Sequence, residues 1–258
     1  MLPPSIHFLR SRVVCAVLCL PAFAGIVRGA DHFNLEENLP TRLEDAFPIA
    51  FMGREMQGFA RYESTSDSED RVTLQPRLEF GFAPNWQATI EAPFLLGGAD
   101  DAGSGDVQLS TLYNFNQETT LLPAFAVAGG VTFPTGEDSE GLDTRLRLIA
   151  TKTLGTAPAQ DRLHLNVGWT RNAANADDER ENRYEFIIGY SRRIGPDATL
   201  VFDLVREQTE LEDEESNLVE AGVRWALTPN AVLSLGGGVG LGDDSPEFTT
   251  TAGLQFSF

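Results

Sequence analysis

From Arg71 to Phe82 the chain alternates without a break. Val72, Leu74, Pro76, Leu78, Phe80 and Phe82 take one set of positions; Arg71, Thr73, Gln75, Arg77, Glu79 and Gly81 take the other. Residues two apart share a face of a strand, whereas a helix groups residues three and four apart. The segment therefore predicts a strand with one apolar and one polar face. After the turn Ala83-Pro84-Asn85 the same period resumes with Trp86, Ala88, Ile90, Ala92 and Phe94 against Gln87, Thr89 and Glu91.

The pattern recurs to the last residue. With a first strand at about Gly53–Glu63, it predicts about twelve strands. Short turns such as Gly195-Pro196-Asp197 and Thr228-Pro229-Asn230 alternate with acidic loops such as Gln208–Ser216 and Gly242–Glu247. Short turns on one edge and longer loops on the other describe a closed, antiparallel, up-and-down transmembrane β-barrel, an all-β fold. An even count puts both termini on the periplasmic side. Aromatic residues fall at both rims: Phe82, Trp86, Phe115, Tyr190, Trp225 and Phe258 at the short-turn edge, and Tyr62, Phe94, Phe133, Trp169, Tyr184 and Phe248 at the long-loop edge. Of these, the Trp and Tyr rings carry a polar tip and favour headgroup depth. A soluble β-sandwich would show the alternation without needing the two rims.

Composition agrees once the barrel is in view. The formal charge is -19, from 38 acids against 19 bases, which argues against nucleic acid as a partner. The mean hydropathy of -0.16 is too polar for a bundle of membrane helices, but a barrel wets only alternate residues with lipid. Arg10 and Arg12 followed by the apolar run Val13–Ala24 and the small-residue pattern Ala22-Phe23-Ala24 read as a secretory signal over residues 1–24. That run is shorter than the roughly 20 residues that span a bilayer as a helix. Both cysteines, Cys15 and Cys19, leave with it, which removes disulfides and thiolate chemistry from the mature chain. Residues 25–50 form a periplasmic tail or a plug, in which Thr41–Glu44 has the pattern of a helical cap, and residues 51–258 form the barrel.

The polar face should line a lumen. It carries Arg77, Glu79, Glu91, Arg145, Arg147, Arg183, Glu185, Arg193, Asp203, Glu220 and Arg224, with Arg71 and Arg162. Cross-strand pairs among them would stiffen the wall or present a charge ladder to solute. Lys152 is the one lysine, and arginine suits such a network because its planar guanidinium binds carboxylates through two parallel bonds. On the fifth strand the inward positions include Ala126 and Ala128, and on the eleventh Gly236 and Gly238. Six strands apart in a ring of twelve, these small residues face each other and predict free volume for a narrow path.

The chain closes on Gly253-Leu254-Gln-Phe256-Ser-Phe258, which resembles the C-terminal signal read by the barrel assembly machinery. Other short motifs accompany it: Glu44-Asp45-Ala46, Gly105-Asp106-Val107, Gly130-Val-Thr-Phe-Pro134-Thr-Gly136, Thr151-Lys-Thr-Leu-Gly155 and Leu163-His-Leu-Asn-Val-Gly-Trp169. In this order, over Glu44 to Phe258, the chain resembles the outer-membrane transporters named for the meta-pathway of phenol degradation. The resemblance implies a twelve-stranded barrel moving small, often aromatic or apolar, molecules across a bacterial outer membrane. It brings no catalytic motif and no cofactor.

The expected function is thus a passive channel or transporter, with outer-membrane lipid, lipopolysaccharide, the assembly machinery and a small solute as partners. One alternative is a barrel hydrolase acting on lipid, which needs a nucleophile beside a histidine; His32 and His164 are the histidines after the signal, and no serine stands two residues from either. The other is a structural barrel whose acidic loops (Asp67-Ser-Glu69-Asp70, Asp100-Asp101, Glu137-Asp138, Asp177-Asp178-Glu179, Glu212–Glu215, Asp243-Asp244) hold cations. None of these has an ordered ligand loop, so no metal ligand is assigned among them.

Overall fold

The computed structural model describes residues 29–64, 70–97, 103–136, 141–155, 160–173 and 179–258. The secretory signal and, among the acidic loops, Asp67, Glu69, Asp100, Asp101, Glu137, Asp138, Asp177 and Asp178 lie outside them. The strands are β1 (Arg54–Ser64), β2 (Arg71–Ala83), β3 (Trp86–Glu91, continued by Phe94–Leu96), β4 (Gly103–Ser104, continued by Val107–Asn114), β5 (Ala124–Phe133) and β6 (Asp143–Leu154). There follow β7 (Asp161–Arg171), β8 (Asn182–Arg193), β9 (Ala198–Gln208), β10 (Glu215–Thr228), β11 (Ala231–Gly240) and β12 (Phe248–Ser257).

Each strand pairs antiparallel with its neighbours in sequence, and β1 also pairs with β12, Glu55 opposite Ser257 through Ser64 opposite Phe248. The sheet therefore closes into a twelve-stranded barrel with no free edge, which a bilayer demands because it offers backbone groups no water. The breaks in β3 and β4 have local causes. Pro93 cannot donate to the ladder, yet β3 keeps its register on β2, with Arg77 opposite Glu91 and Leu74 opposite Phe94. Gly105 and Asp106 form an extra step, so β4 meets β3 at Gln108 opposite Glu91 but at Ser104 opposite Phe94.

The alternation read from sequence is the alternation of the wall. On β12, Phe248, Leu254 and Phe256 point outward while Thr249, Thr251, Gln255 and Ser257 are buried inside. At the short-turn rim the rings form a continuous chain: Phe82 to Trp86 at 5.8 Å, Trp86 stacked on Tyr113 at 4.4 Å, Tyr113 to Phe115 at 6.4 Å and Phe115 to Phe125 at 6.2 Å. At the other rim Tyr62 meets Phe248 at 5.4 Å, across the seam between β1 and β12.

Residues 31–49 pack against the inward side chains. The segment starts at the short-turn rim, where the Ala30 N–H donates to the Pro229 carbonyl, and ends there, where Met52 N–H donates to Gly81 O. Between these points it runs into the barrel and back, cross-tied by Leu35 N–H to Asp45 and Asp45 N–H to Leu35 O. Thr41 and Arg42 form bends and Leu43 and Glu44 are irregular, so Thr41–Glu44 is not a helical turn. In place of a Thr41 or Glu44 side-chain cap, the wall takes these N–H groups: Arg42 N–H donates to Glu220, Leu43 N–H to Asp203 and Glu44 N–H to Asn166. Leu35 and Leu43 join Ile187, Val201, Val205 and Leu218 in one apolar cluster; Ala46 joins Leu112, Ala124, Ala126 and Ile149 in another, with Phe47 against it.

Candidate functional site

The lumen wall meets the segment 31–49 mainly through arginine–carboxylate groups. On β6, Arg145 binds Glu37 at 2.7 Å and Glu185 at 3.1 Å, and Arg147 binds Glu44 at 2.8 Å, Glu37 and, more distantly, Glu185. On β2, Arg77 binds Glu91 at 2.8 Å, reaches Glu79 at 3.8 Å and donates to the Glu37 carbonyl. Arg42, at the far end of the segment, binds Glu207 and Glu63, while Arg61 reaches Glu220 at 3.7 Å. Each of these carboxylates has a guanidinium within 4 Å, the pairing that a buried carboxylate needs because an unpaired buried ion is heavily penalised.

Arg224 is wholly buried, donating to the Leu39 carbonyl at 3.0 Å and to Gln255. Asp203 accepts from the segment at Leu43. Arg193 lies over the Phe33 ring at 4.7 Å. Arg183 turns away from the segment, to Glu210 at 2.9 Å and Asn172 at 3.0 Å near the long-loop rim. Asp45 sits in the segment, outside the membrane-crossing strands. Burial pushes its carboxyl up to about 7, against the pull of Arg162 and of the Phe47 and Leu35 N–H groups.

The small inward residues divide into two roles. Pro40 lies against Gly236 and Gly222: a Cβ on Gly236 would stand 2.6 Å from the Pro40 carbonyl oxygen, and one on Gly222 2.5 Å from its Cγ. Gly189 makes the same kind of room for Leu43, and Gly253 for Leu39. Gly238 is backed by Glu220, 2.8 Å from a would-be Cβ. Against Gly236 the volume expected from sequence is thus taken up by the segment itself. Across the barrel, Ala126 packs under Ala46, but Ala128 and Gly130 line a cleft of about 50 Å³ with Gln108, Ser110, Arg145 and Arg147. Glu37 and Glu44 form its inner side. A space of this size holds a few waters.

His164 has a serine within reach after all, from the adjacent strand: Nε2 lies 3.0 Å from Ser191 Oγ, and Nδ1 3.1 Å from Thr151 Oγ1. All three side chains are buried, and Thr151 in turn accepts from the Ala46 N–H. The relay thus supports the segment through Ala46. Leu254, Phe256 and Phe258 face outward and Gly253 inward, and the Phe258 N–H closes the seam on the Arg54 carbonyl at 3.1 Å.

Sequence reasoning missed the partners on the segment, Glu37, Arg42 and Glu44, and the inward aliphatics Ile187, Val201, Val205 and Leu218. A signal for the latter exists. Phe186-Ile-Ile188 and Leu200-Val-Phe202 are apolar at both parities, which a water-filled lumen would not favour.

Residues 58–258 match the family model described as "Putative MetA-pathway of phenol degradation". The chain belongs to this family. No curated protein matches it. Among solved structures, the COG4313 outer membrane channel from Pseudomonas putida F1 is similar at a TM-score of 0.64 and 15% identity, over 83% of this chain and 98% of that one. The NanC porin gives 0.54 at 15% identity, over 80% and 100%, and the KdgM porin in complex with disordered oligogalacturonate 0.54 at 12%, over 78% and 99%. At these identities the likeness is one of fold. This member of the phenol-degradation family thus has the closed barrel of bacterial outer-membrane proteins, and its apolar outer band and aromatic rims fit that membrane.

Proposed function

We propose that the protein is a passive outer-membrane channel for small molecules, with the segment 25–50 acting as a plug that narrows the lumen. The observation that carries this reading is the cleft between β4–β6 and the segment. Its walls are Gln108, Ser110, Ala128, Gly130, Arg145 and Arg147, and its inner side is Glu37 and Glu44. A cleft that holds a few waters, bounded on one side by the segment and not by the wall, would widen to pass a single small solute if the segment shifts, and disfavours bulk flow. Membership of a family named for phenol degradation, together with the channel and porin folds it resembles, supports small aromatic or apolar cargo. The residues Arg77, Glu79, Glu91, Arg145, Arg147, Glu185, Asp203, Glu220 and Arg224 act as the charged lining and as the sockets of the plug.

The same reading assigns no catalysis. A hydrolase would need Ser191 and His164 open to substrate, and both are buried. Residues 1–24 act as the removed leader, and Gly253, Leu254, Phe256 and Phe258 as the handle for the barrel assembly machinery. Lipopolysaccharide faces the acidic long-loop rim. Planar-bilayer recordings and liposome swelling with phenolic and fatty solutes test the channel. Small, solute-dependent conductance is expected; a refolded barrel showing neither conductance nor swelling overturns it.

A further inference from the structure

Three glutamates from three different parts of the chain meet inside the barrel. Glu36 comes from the lumen segment, Glu55 from β1 and Glu79 from β2; each is buried, and each offers a carboxylate oxygen within 4.8 Å of the other two. Two oxygens bound to one calcium ion at 2.3–2.6 Å are separated by at most roughly 5 Å, so the spacing fits a shared hard cation. The arginines nearby make their closest contacts outside the cluster. Arg77 makes its close pair with Glu91 at 2.8 Å and stands 3.8 Å from Glu79. Arg224 is spent on Gln255 and the Leu39 carbonyl.

A second observation concerns Gln57, whose side-chain amide is aimed into this cluster. Its Nε2 donates to Glu79 at 2.8 Å and to Glu55 at 3.1 Å. The residue is 3% exposed, and its Oε1 has no hydrogen-bond partner. A buried amide oxygen without a donor carries a desolvation cost. In the structure the amide nitrogen faces the carboxylates; with a cation between them, a half-turn of the amide would exchange its two ends and bring that oxygen in as a fourth ligand. The remaining contacts orient the carboxylates: Asn34 donates to Glu36 at 2.8 Å, Gln255 to Glu55 at 2.5 Å and Ser257 to Glu55 at 2.9 Å. With oxygen donors throughout, the set suits calcium over softer transition metals.

We propose that Glu36, Glu55 and Glu79, with Gln57, bind one Ca²⁺ that fastens the lumen segment to the β1–β2 wall. This site is separate from the acidic loops at the long-loop rim.

The test is calorimetric titration of the refolded full barrel, stripped with chelator, with CaCl₂. A Glu36→Gln variant changes the segment only and leaves the wall intact; a Glu79→Gln variant changes the wall; an Asp243→Asn, Asp244→Asn double variant reports on rim binding. One saturable site is expected in the parent and in the rim variant, weakened at least tenfold in Glu36→Gln and in Glu79→Gln. Calcium should also slow proteolysis of the segment in the parent and not in Glu36→Gln. Absence of saturable binding up to millimolar calcium overturns the proposal, as does binding untouched by Glu36→Gln or lost in the rim variant. No solute passage enters these readouts, so a negative result leaves the channel reading standing.

Discussion

Arg162 sits over Phe33, its guanidinium carbon 3.6 Å from the ring centroid. The same group faces Phe47 at 4.9 Å and donates to the Phe33 carbonyl and to Asp45. One wall arginine therefore clasps both the entering and the returning limb of the lumen segment. A desolvated cation–π contact contributes up to about 2 kcal/mol, near a thirtyfold change in an equilibrium. Phe33→Ala is expected to raise the undocked fraction several-fold to roughly thirtyfold. Limited proteolysis of the segment reads this, with the barrel's heat-modifiable gel mobility as the control for folding.

Gly189→Leu should unseat the segment more completely. Any side chain there runs into Leu43, and the sheet backbone at Gly189 is too well paired, to Asp203 and His164, to shift away. Overpacking of this kind costs about 1–3 kcal/mol where the neighbours cannot move, and here the segment can move. Single-channel conductance is expected to rise and its closures to become less frequent; an unchanged current would mean that the docked segment does not limit the path.

Arg147→Ala would strip partners from Glu37, Glu44 and Glu185 together. Breaking a buried pair by removing one member costs about 3–5 kcal/mol because the other charge stays buried. Thermal unfolding should show a marked loss. Arg147→Lys should recover only part of it, since one ammonium cannot reach three carboxylates as the planar fork does.

Acid should close the channel. The Asp45 carboxyl holds its proton up to about 7 when docked, against an ordinary value of 3.8. An acid with a raised docked pKa favours docking fully below its free pKa, and that favour is lost as pH rises through the docked value. Conductance at pH 8 should exceed that at pH 5, and Asp45→Asn should flatten the difference. Arg162, the other charge in contact with this carboxyl, stays ionised across the range.

His164→Ala should cost stability and nothing else. It leaves the Thr151 and Ser191 hydroxyls short of a partner, worth roughly 1–3 kcal/mol for each buried group left unsatisfied. Ester hydrolysis by the variant and the parent should both stay at the buffer rate; a parent rate that His164→Ala abolishes would restore the hydrolase.

The wall was legible because its physics is local. Alternation in Arg71–Phe82 or Leu163–Trp169 needs no partner to be read, and Phe82, Trp86 and Phe115 mark a rim by their chemistry alone. Arg145 and Arg147 were legible as inward for the same reason. What they bind was not. Glu37 and Glu44 lie more than a hundred residues before them, on a segment with no period to reveal its path. The role of Gly236 was hidden likewise, since an absent side chain reads the same whether water or Pro40 takes its place. Ser191 escaped because the spacing rule looked along the chain, while the contact to His164 runs across strands.

The lumen segment runs directly into β1, and β1 is one lip of the seam that β12 closes. Leu39 of the segment rests on Gly253 of β12, and Arg224, Gln255 and Glu55 link that strand to both. The filling is therefore tied to both lips of the seam. Closing the cylinder thus has an inner surface to fit as well as a hydrogen-bonding partner, so the width of the bore is matched to the side chains it encloses.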